Sequence, residues 1–426
     1  MRVIRLTSFP LSLTLAGILA SPLAATPKHA YLMREAAAAA QAGDQATALA
    51  KLEEAAQLRP DYPRLQVLLA RTYVELDRPA DALAALQRLA DMGLHLNVAA
   101  DPAFAALKDV PEFKSVSSRL LQGLTTAASG DAAVTLTGVD GIIESCLYDP
   151  ASQAWYFGDV RNRCIWQREA RSGQLRKFTA DEDALDGVFK LALSPDRKTL
   201  WAVTATMAVM TGEDAEDGKR SALVAIDFAT GRVAARFPAA GKGVKHVLGD
   251  FIIASDGTVF ATDSVYQAIW RLPPEGKELE VWLENEQFLN LQGLAFSGDG
   301  RTLYMSDYAN GIWSIDVGTK ALTLLTAPAN ASFFGIDGIY AVPGGLLAVQ
   351  NGANPQRVLH IEPAATGASA ARVVASGRPD MTDLSLGQVV NDRFFFVGNS
   401  GWALFDPLPA SPPAPRTVTI YSIPTD

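Results

Sequence analysis

Side chains with oxygen ligands recur at one place in several segments of this 426-residue chain. Each leads an apolar stretch that runs into a turn, and the four are Glu144, Asp250, Gln292 and Asp337. Carboxylates that converge on one point repel each other unless a cation lies between them, and such hard ligands suit Ca²⁺, Mg²⁺ or Mn²⁺. These residue types indicate a divalent-cation site if the fold brings them together. The alternative is that they cap strand ends or bind water.

The elements that would position these residues form a repeated unit, which is clearest at residues 291–316. Two apolar stretches flank the turn Ser297–Gly300, whose residue types suit a tight hairpin, and a third apolar stretch follows. Comparable middle strands recur about 43 to 59 residues apart. They begin at Trp155, Leu200, Val259, Leu303, Leu346 and Phe394. Six such units predict an all-β, six-bladed β-propeller.

In a propeller the first strand of each blade lines the central tunnel, and its leading residue points into one mouth. Counting back from each turn assigns that position in every blade. In chain order the assigned residues are Glu144, Phe189 with Lys190 beside it, Asp250, Gln292, Asp337, and Asp383 or Ser385. The blade that closes the ring needs a strand from a chain end, and either Val134–Gly138 or Thr417–Ile423 could supply it.

A helical repeat precedes the propeller at residues 29–93. Ala48-Leu49-Ala50 matches Ala82-Leu83-Ala84 about 34 residues later, and small residues at these positions let antiparallel helices approach closely. This pattern resembles the tetratricopeptide repeat, and residues 101–121 are expected to add capping helices. The module is either a groove for a peptide or protein partner, or a cap that packs on the propeller.

The N-terminal residues have the pattern of a secretion signal: Arg2 and Arg5 precede the short apolar run Leu11–Ala20, and small residues follow. The alternative is an uncleaved tether. The run is too short to span a bilayer, so we expect a periplasmic or secreted protein without a membrane span after cleavage. The predicted organisation is a signal peptide at 1–25, helical repeats at 26–124, a linker at 125–133 and the propeller at 134–426.

Charge and cysteine content exclude two other classes of feature. The net charge is -9 and no cluster of Lys and Arg is long enough to follow phosphates, which argues against a nucleic-acid partner. Cys146 and Cys164 fall on the first and third strands of one blade, about 10 Å apart, which is beyond disulfide reach. We therefore expect two reduced, packed thiols.

Three motifs give the propeller segment a family resemblance. They are IESCLYDPASQAWYFGDVRNRCIWQ at 143–167, LQGLAFSGDGRTLYMSD at 291–307 and IDGIYAVPGGLLAVQNG at 336–352. The segment resembles the senescence marker protein/gluconolactonase (regucalcin-like) family. The resemblance implies a six-bladed fold that holds one divalent cation, commonly calcium or zinc, through a Glu, an Asn and an Asp. Glu144 falls on the Glu ligand, Asp337 on the Asp ligand, and Gln292 stands where the family has Asn.

The resemblance further implies metal-assisted hydrolysis of a sugar lactone or another ester. The cation would polarise the lactone carbonyl, and Asp337 or Asp250 would accept a proton from the attacking water. His246, four residues before Asp250, is an alternative base, although a lone histidine is more often packed. Lys190 is expected either to bind an acidic substrate or to pair with a carboxylate of the tunnel. Asp250 is also a candidate ligand, although Gly249 replaces the Asn that precedes it in the family.

These observations lead to a periplasmic, divalent-metal-dependent lactone or ester hydrolase as the expected function. Ca²⁺ is the expected ion, with Zn²⁺ or Mg²⁺ as alternatives, and a small lactone or ester is the expected substrate. The rival interpretation is a non-catalytic ligand-binding or scaffold protein that uses the helical repeats to bind a protein partner. The sequence contains no Gly-x-Ser-x-Gly elbow and no dinucleotide or P-loop fingerprint, which argues against those reaction classes.

Overall fold

The computed structural model describes residues 27–123, 130–212, 215–241 and 243–426. The predicted signal peptide at 1–25 lies outside the described residues, as does most of the predicted linker at 125–133. We refer to residues 27–123 as the helical module and to residues 130–426 as the β domain. No helix in the described ranges combines the length and the apolarity needed to cross a membrane.

The helical module consists of antiparallel helices that pack on one another in chain order. They are α1 (Lys28–Gln41), α2 (Gln45–Leu58), α3 (Pro63–Glu75), α4 (Pro79–Asp91) and α5 (Pro111–Gln122), with short 3₁₀ turns at Val98–Ala100 and Pro102–Leu107. Ala55, Ala70 and Ala82 are fully buried, and they let the helices approach closely around one apolar core. The predicted helical repeats and capping helices are therefore confirmed.

The β domain contains short strands, most of them joined by tight turns. They are β1 (Asp131–Val139), β2 (Ile143–Asp149), β3 (Ala154–Asp159), β4 (Cys164–Arg168), β5 (Leu175–Lys177), β6 (Gly187–Leu193), β7 (Thr199–Ala205), β8 (Ser221–Asp227), β9 (Val233–Pro238), β10 (Leu248–Ile253), β11 (Val259–Asp263), β12 (Ala268–Leu272), β13 (Glu280–Glu284), β14 (Leu291–Phe296), β15 (Thr302–Asp307), β16 (Gly311–Asp316), β17 (Leu322–Leu324), β18 (Gly338–Val342), β19 (Gly345–Gln350), β20 (Arg357–Pro363), β21 (Ala368–Ser376), β22 (Ser385–Val390), β23 (Arg393–Val397) and β24 (Arg416–Pro424).

These strands form antiparallel groups of four. Four groups are separate sheets, and two groups share one eight-stranded sheet, which is joined by the parallel pair of Ser145 on β2 with Leu386 on β22. The first strands contact one another in the cycle β2, β6, β10, β14, β18, β22 and back to β2. The structure is thus a largely β domain with propeller-like sheets. The count of six blades requires dividing the shared sheet at that one pair, and it stays a prediction.

The last group contains both the first and the last strand of the β domain, and its strand order is β22, β23, β24 and β1. β24 pairs with β23, and β1 pairs along the outer edge of β24, with Asp131 opposite Ser422. The two candidate closing strands are therefore both used. β1 begins at Asp131, within the stretch that was expected to be a linker.

Three of the groups use a buried aspartate in the same way. Each aspartate ends the middle strand, accepts backbone N–H groups of the segment that enters its group, and accepts the indole N–H of a tryptophan on the third strand. The pairs are Asp159 with Trp166, Asp263 with Trp270, and Asp307 with Trp313. These tryptophans therefore serve packing and hydrogen bonding inside the sheets.

The fifth group has Gln350 and Arg357 in place of that pair. Arg357 Nε donates to Gln350 Oε1 at 2.7 Å, and Nη1 donates to the carbonyl oxygen of Met92, at the end of α4, at 2.8 Å. Burial lowers the pKa of Arg357 to about 10. The changed pair joins this sheet to the helical module.

A second set of contacts joins the two parts around Phe334. Arg59, which follows α2, forms an ion pair with Asp61 at 3.0 Å and donates to the carbonyl oxygen of Asn310. Its guanidinium lies 4.3 Å from the ring centroid of Phe334, and the ring of Tyr62 stacks on the same ring at 3.9 Å. Phe334 comes three residues before Asp337, so the helical module packs at the end of the β domain where the predicted mouth lies. The helical module therefore packs on the β domain through this surface.

His29 makes this junction sensitive to acid. Its ring packs edge-on against Tyr62, and burial, together with the charge of Arg59, lowers its pKa from 6.5 to about 4. The unfolded chain gains a proton on His29 as the pH falls through 6.5, whereas the folded chain gains one only near 4. The contribution of neutral His29 to the free energy of unfolding is therefore complete above pH 6.5, and it falls by up to about 3 kcal/mol as the pH approaches 4. We expect His29→Phe to lose less stability than the wild type between pH 7 and 4 in urea titrations. Parallel pH curves for the two proteins would contradict this.

Candidate functional site

The first strands of the β domain share an irregularity at their beginning. In five of them the pairing with the middle strand contains one extra residue. In four of these strands it is Glu144, Phe189, Gly249 or Leu386, and in β14 both Gln292 and Gly293 lie opposite Ser306. A bulge changes which face of the strand the following side chains occupy. In the second group, the side chain that reaches the site is that of Lys190, the residue after Phe189.

Two buried carboxyl groups form the centre of the site. Glu144 lies in the bulge of β2, and Asp337 directly precedes β18. Burial is the largest cause that raises the pKa of Glu144 well above its ordinary value, and the negative charge of Asp337 is the second. Burial, followed by the charge of Asp250, raises the pKa of Asp337 to about 7, against the hydrogen bond from Asn351. The charges of Glu144, Asp250 and Asp337 thus act on one another in one buried set, and their assignment as ligands stays a prediction.

Lys190 supplies the positive charge of this set. Its Nζ lies 3.6 Å from Asp250 Oδ2, donates to Tyr340 Oη at 3.1 Å, and stands 4.5 Å from the centroid of the Tyr340 ring. Burial favours the neutral amine, but the negative charge of Asp250 and the hydrogen bond with Tyr340 outweigh it and raise the pKa of Lys190 above its usual value. Lys190 is therefore a charged ammonium paired with a carboxylate, one of the two roles that the sequence left open.

Asn351 is a member of the site that sequence reasoning missed. Its Nδ2 donates to Asp337 Oδ2 at 2.8 Å and to the carbonyl oxygen of Leu384 at 3.0 Å. Its Oδ1 is buried and has no hydrogen-bond partner among the described residues. The motif that ends in Gly352 contains this asparagine, so its place directly after the fifth middle strand was the available signal.

Two of the predicted residues form hydrogen bonds with residues outside this set. Gln292 donates its amide N–H to Asn290 Oδ1 at 2.8 Å. His246 Nδ1 lies 2.7 Å from Asp263 Oδ2, its Nε2 lies 3.3 Å from the carbonyl oxygen of Gly241, and the pair with Asp263 raises its pKa. Both ring nitrogens of His246 are thus engaged, and its partner Asp263 is one of the three recurrent structural aspartates.

The alternative residues for the sixth group have different surroundings. Asp383 Oδ2 accepts the backbone N–H groups of Gly401 at 2.9 Å and Trp402 at 2.6 Å, and burial raises its pKa. Ser385 lies beside Glu144. Cys146, on the same strand as Glu144, is a free buried thiol, and burial raises its pKa to about 12; Cys164 is also free and buried.

The donor set can be compared with the needs of a divalent cation. Across the described ranges, no three His, Cys, Asp or Glu side chains stand close enough to hold a metal ion. A ligand set in this site would instead combine two carboxylates with an amide: Glu144, Asp337 and the partnerless Oδ1 of Asn351. These are hard ligands of the kind that Ca²⁺ and Mg²⁺ prefer, so the chemistry of the residues fits such an ion.

Two family models match parts of the chain. The SMP-30/Gluconolactonase/LRE-like region matches residues 142–352, and a tetratricopeptide repeat matches residues 39–108. The chain contains an SMP-30/gluconolactonase/LRE-like region. This region includes Glu144, Lys190, Asp250, Asp337 and Asn351. The tetratricopeptide match lies within the helical module. No curated protein matches the chain.

Several solved structures resemble the chain at low identity. Regucalcin from Agrobacterium tumefaciens, described as a calcium-binding protein, is 13% identical, with a TM-score of 0.47, and the match covers 70% of this chain and 95% of that one. The PQQ-bound aldose sugar dehydrogenase from Streptomyces coelicolor is 16% identical, with a TM-score of 0.46 and coverages of 69% and 98%. Virginiamycin B lyase from Staphylococcus aureus is 13% identical, with a TM-score of 0.44 and coverages of 62% and 80%. These are likenesses of fold.

Proposed function

We propose that this protein hydrolyses a lactone or a related ester in a reaction that depends on a divalent cation, with Ca²⁺ as the first candidate. The observation that carries the proposal is the pair of buried, mutually repelling carboxyl groups, Glu144 and Asp337, beside the partnerless oxygen of Asn351. A buried acceptor without a partner is costly, and so are two buried carboxylates that repel each other and have no cation between them; a divalent cation would offset both costs.

The residues have distinct roles in this proposal. Glu144, Asp337 and Asn351 would hold the ion, which supplies a Lewis acid for the ester carbonyl. Asp250 accepts the proton of the attacking water, because burial raises its pKa above that of an ordinary aspartate. The same proton then passes to the alkoxide that leaves when the ring opens. Lys190 holds Asp250 in place and keeps its carboxylate close to the other two.

We also propose that the protein is exported. The basic start and the short apolar run of residues 1–25 support a cleaved signal, and a calcium-dependent enzyme suits a compartment outside the cytoplasm. Cell fractionation with an antibody to the chain, alongside a variant in which Arg2 and Arg5 are replaced by glutamate, tests this. Equal cytoplasmic recovery of both proteins would contradict export.

Metal removal is the experiment that tests the function. Protein purified without chelator is expected to contain about one divalent ion per chain, to hydrolyse members of a panel of γ- and δ-lactones, and to lose this activity on dialysis against EDTA. Added Ca²⁺ should restore it. Calorimetric titration of the dialysed protein with Ca²⁺, Mg²⁺ and Zn²⁺ measures the affinity for each ion independently of substrate. A protein that binds none of them and is inert towards the panel would sink the proposal.

A non-catalytic binding protein is the second candidate, and one observation favours it. The ammonium of Lys190 already lies within the carboxylate set, 3.6 Å from Asp250, so a cation is not the only source of compensating charge. In this case the helical module would serve a protein partner and the mouth would hold a ligand without transforming it. The calorimetric experiment separates the two, because this candidate requires no metal binding.

A further inference from the structure

The connection between β23 and β24, residues 398–415, crosses from the last group of the β domain to the second, and we call it the strap. It lies outside the family-matched residues 142–352. At its start the carbonyl oxygen of Ser400 accepts the backbone N–H of Ile143 at 3.1 Å, directly beside Glu144. Asp383 accepts the N–H groups of Gly401 and Trp402. These bonds hold one end of the strap against the site.

A buried aromatic residue holds the strap at a second point, Phe405. Phe405 is 1% exposed and packs in the apolar cluster that contains Met207, Val209 and Met210, which follow β7. The guanidinium of Arg161 lies 4.4 Å from the centroid of the Phe405 ring and donates to the carbonyl oxygen of Val209 at 2.7 Å. The strap therefore spans the first group and is secured on both sides of Glu144.

Trp402 lies between these two attachments. Its indole Nε1–H donates to Glu144 Oε2, and its ring lies 6.3 Å from that of Phe189, at the bulge of β6. The indole N–H is a donor only, so it can engage one carboxylate oxygen and leave the other open. The backbone N–H of Trp402 is tied to Asp383, which limits the movement of the ring. The arrangement sets the direction in which Glu144 presents its second oxygen.

We propose that Trp402 is a positioning residue that orients the carboxylate of Glu144 for binding the cation, and that the strap places Trp402 in this position. This inference rests on the proposed function and deepens it. Partners that orient a ligating side chain commonly account for about 10- to 100-fold in metal affinity or activity. Trp402 acts through Glu144 and does not itself touch the ion.

The test compares Trp402→Phe, which keeps an aromatic ring and removes the N–H, with Leu404→Ala as the matched control. Leu404 lies in the same turn of the strap and its side chain is largely in solvent, with 41% exposed. Trp402→Phe is expected to weaken calorimetric Ca²⁺ affinity by about 10-fold or more and to lower kcat, with a smaller change in KM. Leu404→Ala should match the wild type. Wild-type affinity and kcat in Trp402→Phe would overturn the inference.

A second measurement separates this inference from the proposed function. Amide hydrogen exchange in residues 398–405 reports the attachment of the strap and needs neither cation nor substrate. Exchange there is expected to rise several-fold in both Trp402→Phe and Glu144→Leu, because each removes one partner of the same hydrogen bond. Such a rise in a protein that binds no ion would support the attachment while the hydrolase proposal fails. Unchanged exchange in both variants would overturn the attachment itself.

Discussion

Glu144→Gln is expected to weaken Ca²⁺ binding by about 100-fold or more and to reduce lactone hydrolysis to background, because it removes one of two charged ligands from a buried site. The variant should fold, since the amide fills the same volume and relieves the repulsion with Asp337. Calorimetric titration and a lactone assay measure the two losses, and the thermal unfolding midpoint checks the fold. Full affinity in a folded variant would exclude Glu144 as a ligand.

A matched pair of amide variants then identifies the third ligand. Asn351→Ala is expected to reduce Ca²⁺ affinity by about 10-fold, because Asn351 contacts Asp337 through its Nδ2 and its Oδ1 has no hydrogen-bond partner. Gln292→Ala is the matched comparison and should leave the affinity unchanged, because the amide N–H of Gln292 is engaged by Asn290. The opposite result would restore the motif-based assignment of Gln292.

Arg59→Met is expected to lower the free energy of unfolding by about 3 to 5 kcal/mol, because it leaves the carboxylate of Asp61 buried without a partner. Arg59 is 5% exposed and Asp61 is 3% exposed, so solvent screens this pair little. The variant also loses the contact with Phe334 and the hydrogen bond to Asn310. Urea denaturation followed by circular dichroism measures the change.

The double variant Arg59→Met/Asp61→Leu is the control for this prediction. Removing both charges avoids the uncompensated carboxylate, so much of the lost stability should return. The contacts with Phe334 and Asn310 would still be missing, which leaves a residual deficit. A single variant as stable as the wild type would show that the buried pair does not secure the helical module.

The bulges of the first strands limited how far the site could be read from the sequence. Counting back from the turns places Phe189 and Lys190 at neighbouring positions, and a regular strand sends such neighbours to opposite faces. The bulge at Phe189 decides that Lys190 joins the carboxylates. A bulge depends on how the two strands pair within the folded sheet. The apolar periodicity of the sequence does not show where a bulge occurs.

The alternation of apolar residues, the Gly- and Asp-containing turns and the 34-residue helical repeat were enough to determine the order and type of the elements, because these signals are local. The recurrence of one position in each sheet module was enough to bring Glu144, Asp250 and Asp337 together, because repeated units arranged in a cycle superimpose equivalent residues. Tertiary structure alone decided the parts played by Asn351, Trp402 and the junction of the two domains. Those contacts join segments as much as 265 residues apart, as between Arg357 and Met92, and they form only when the folded sheets and helices bring their surfaces together.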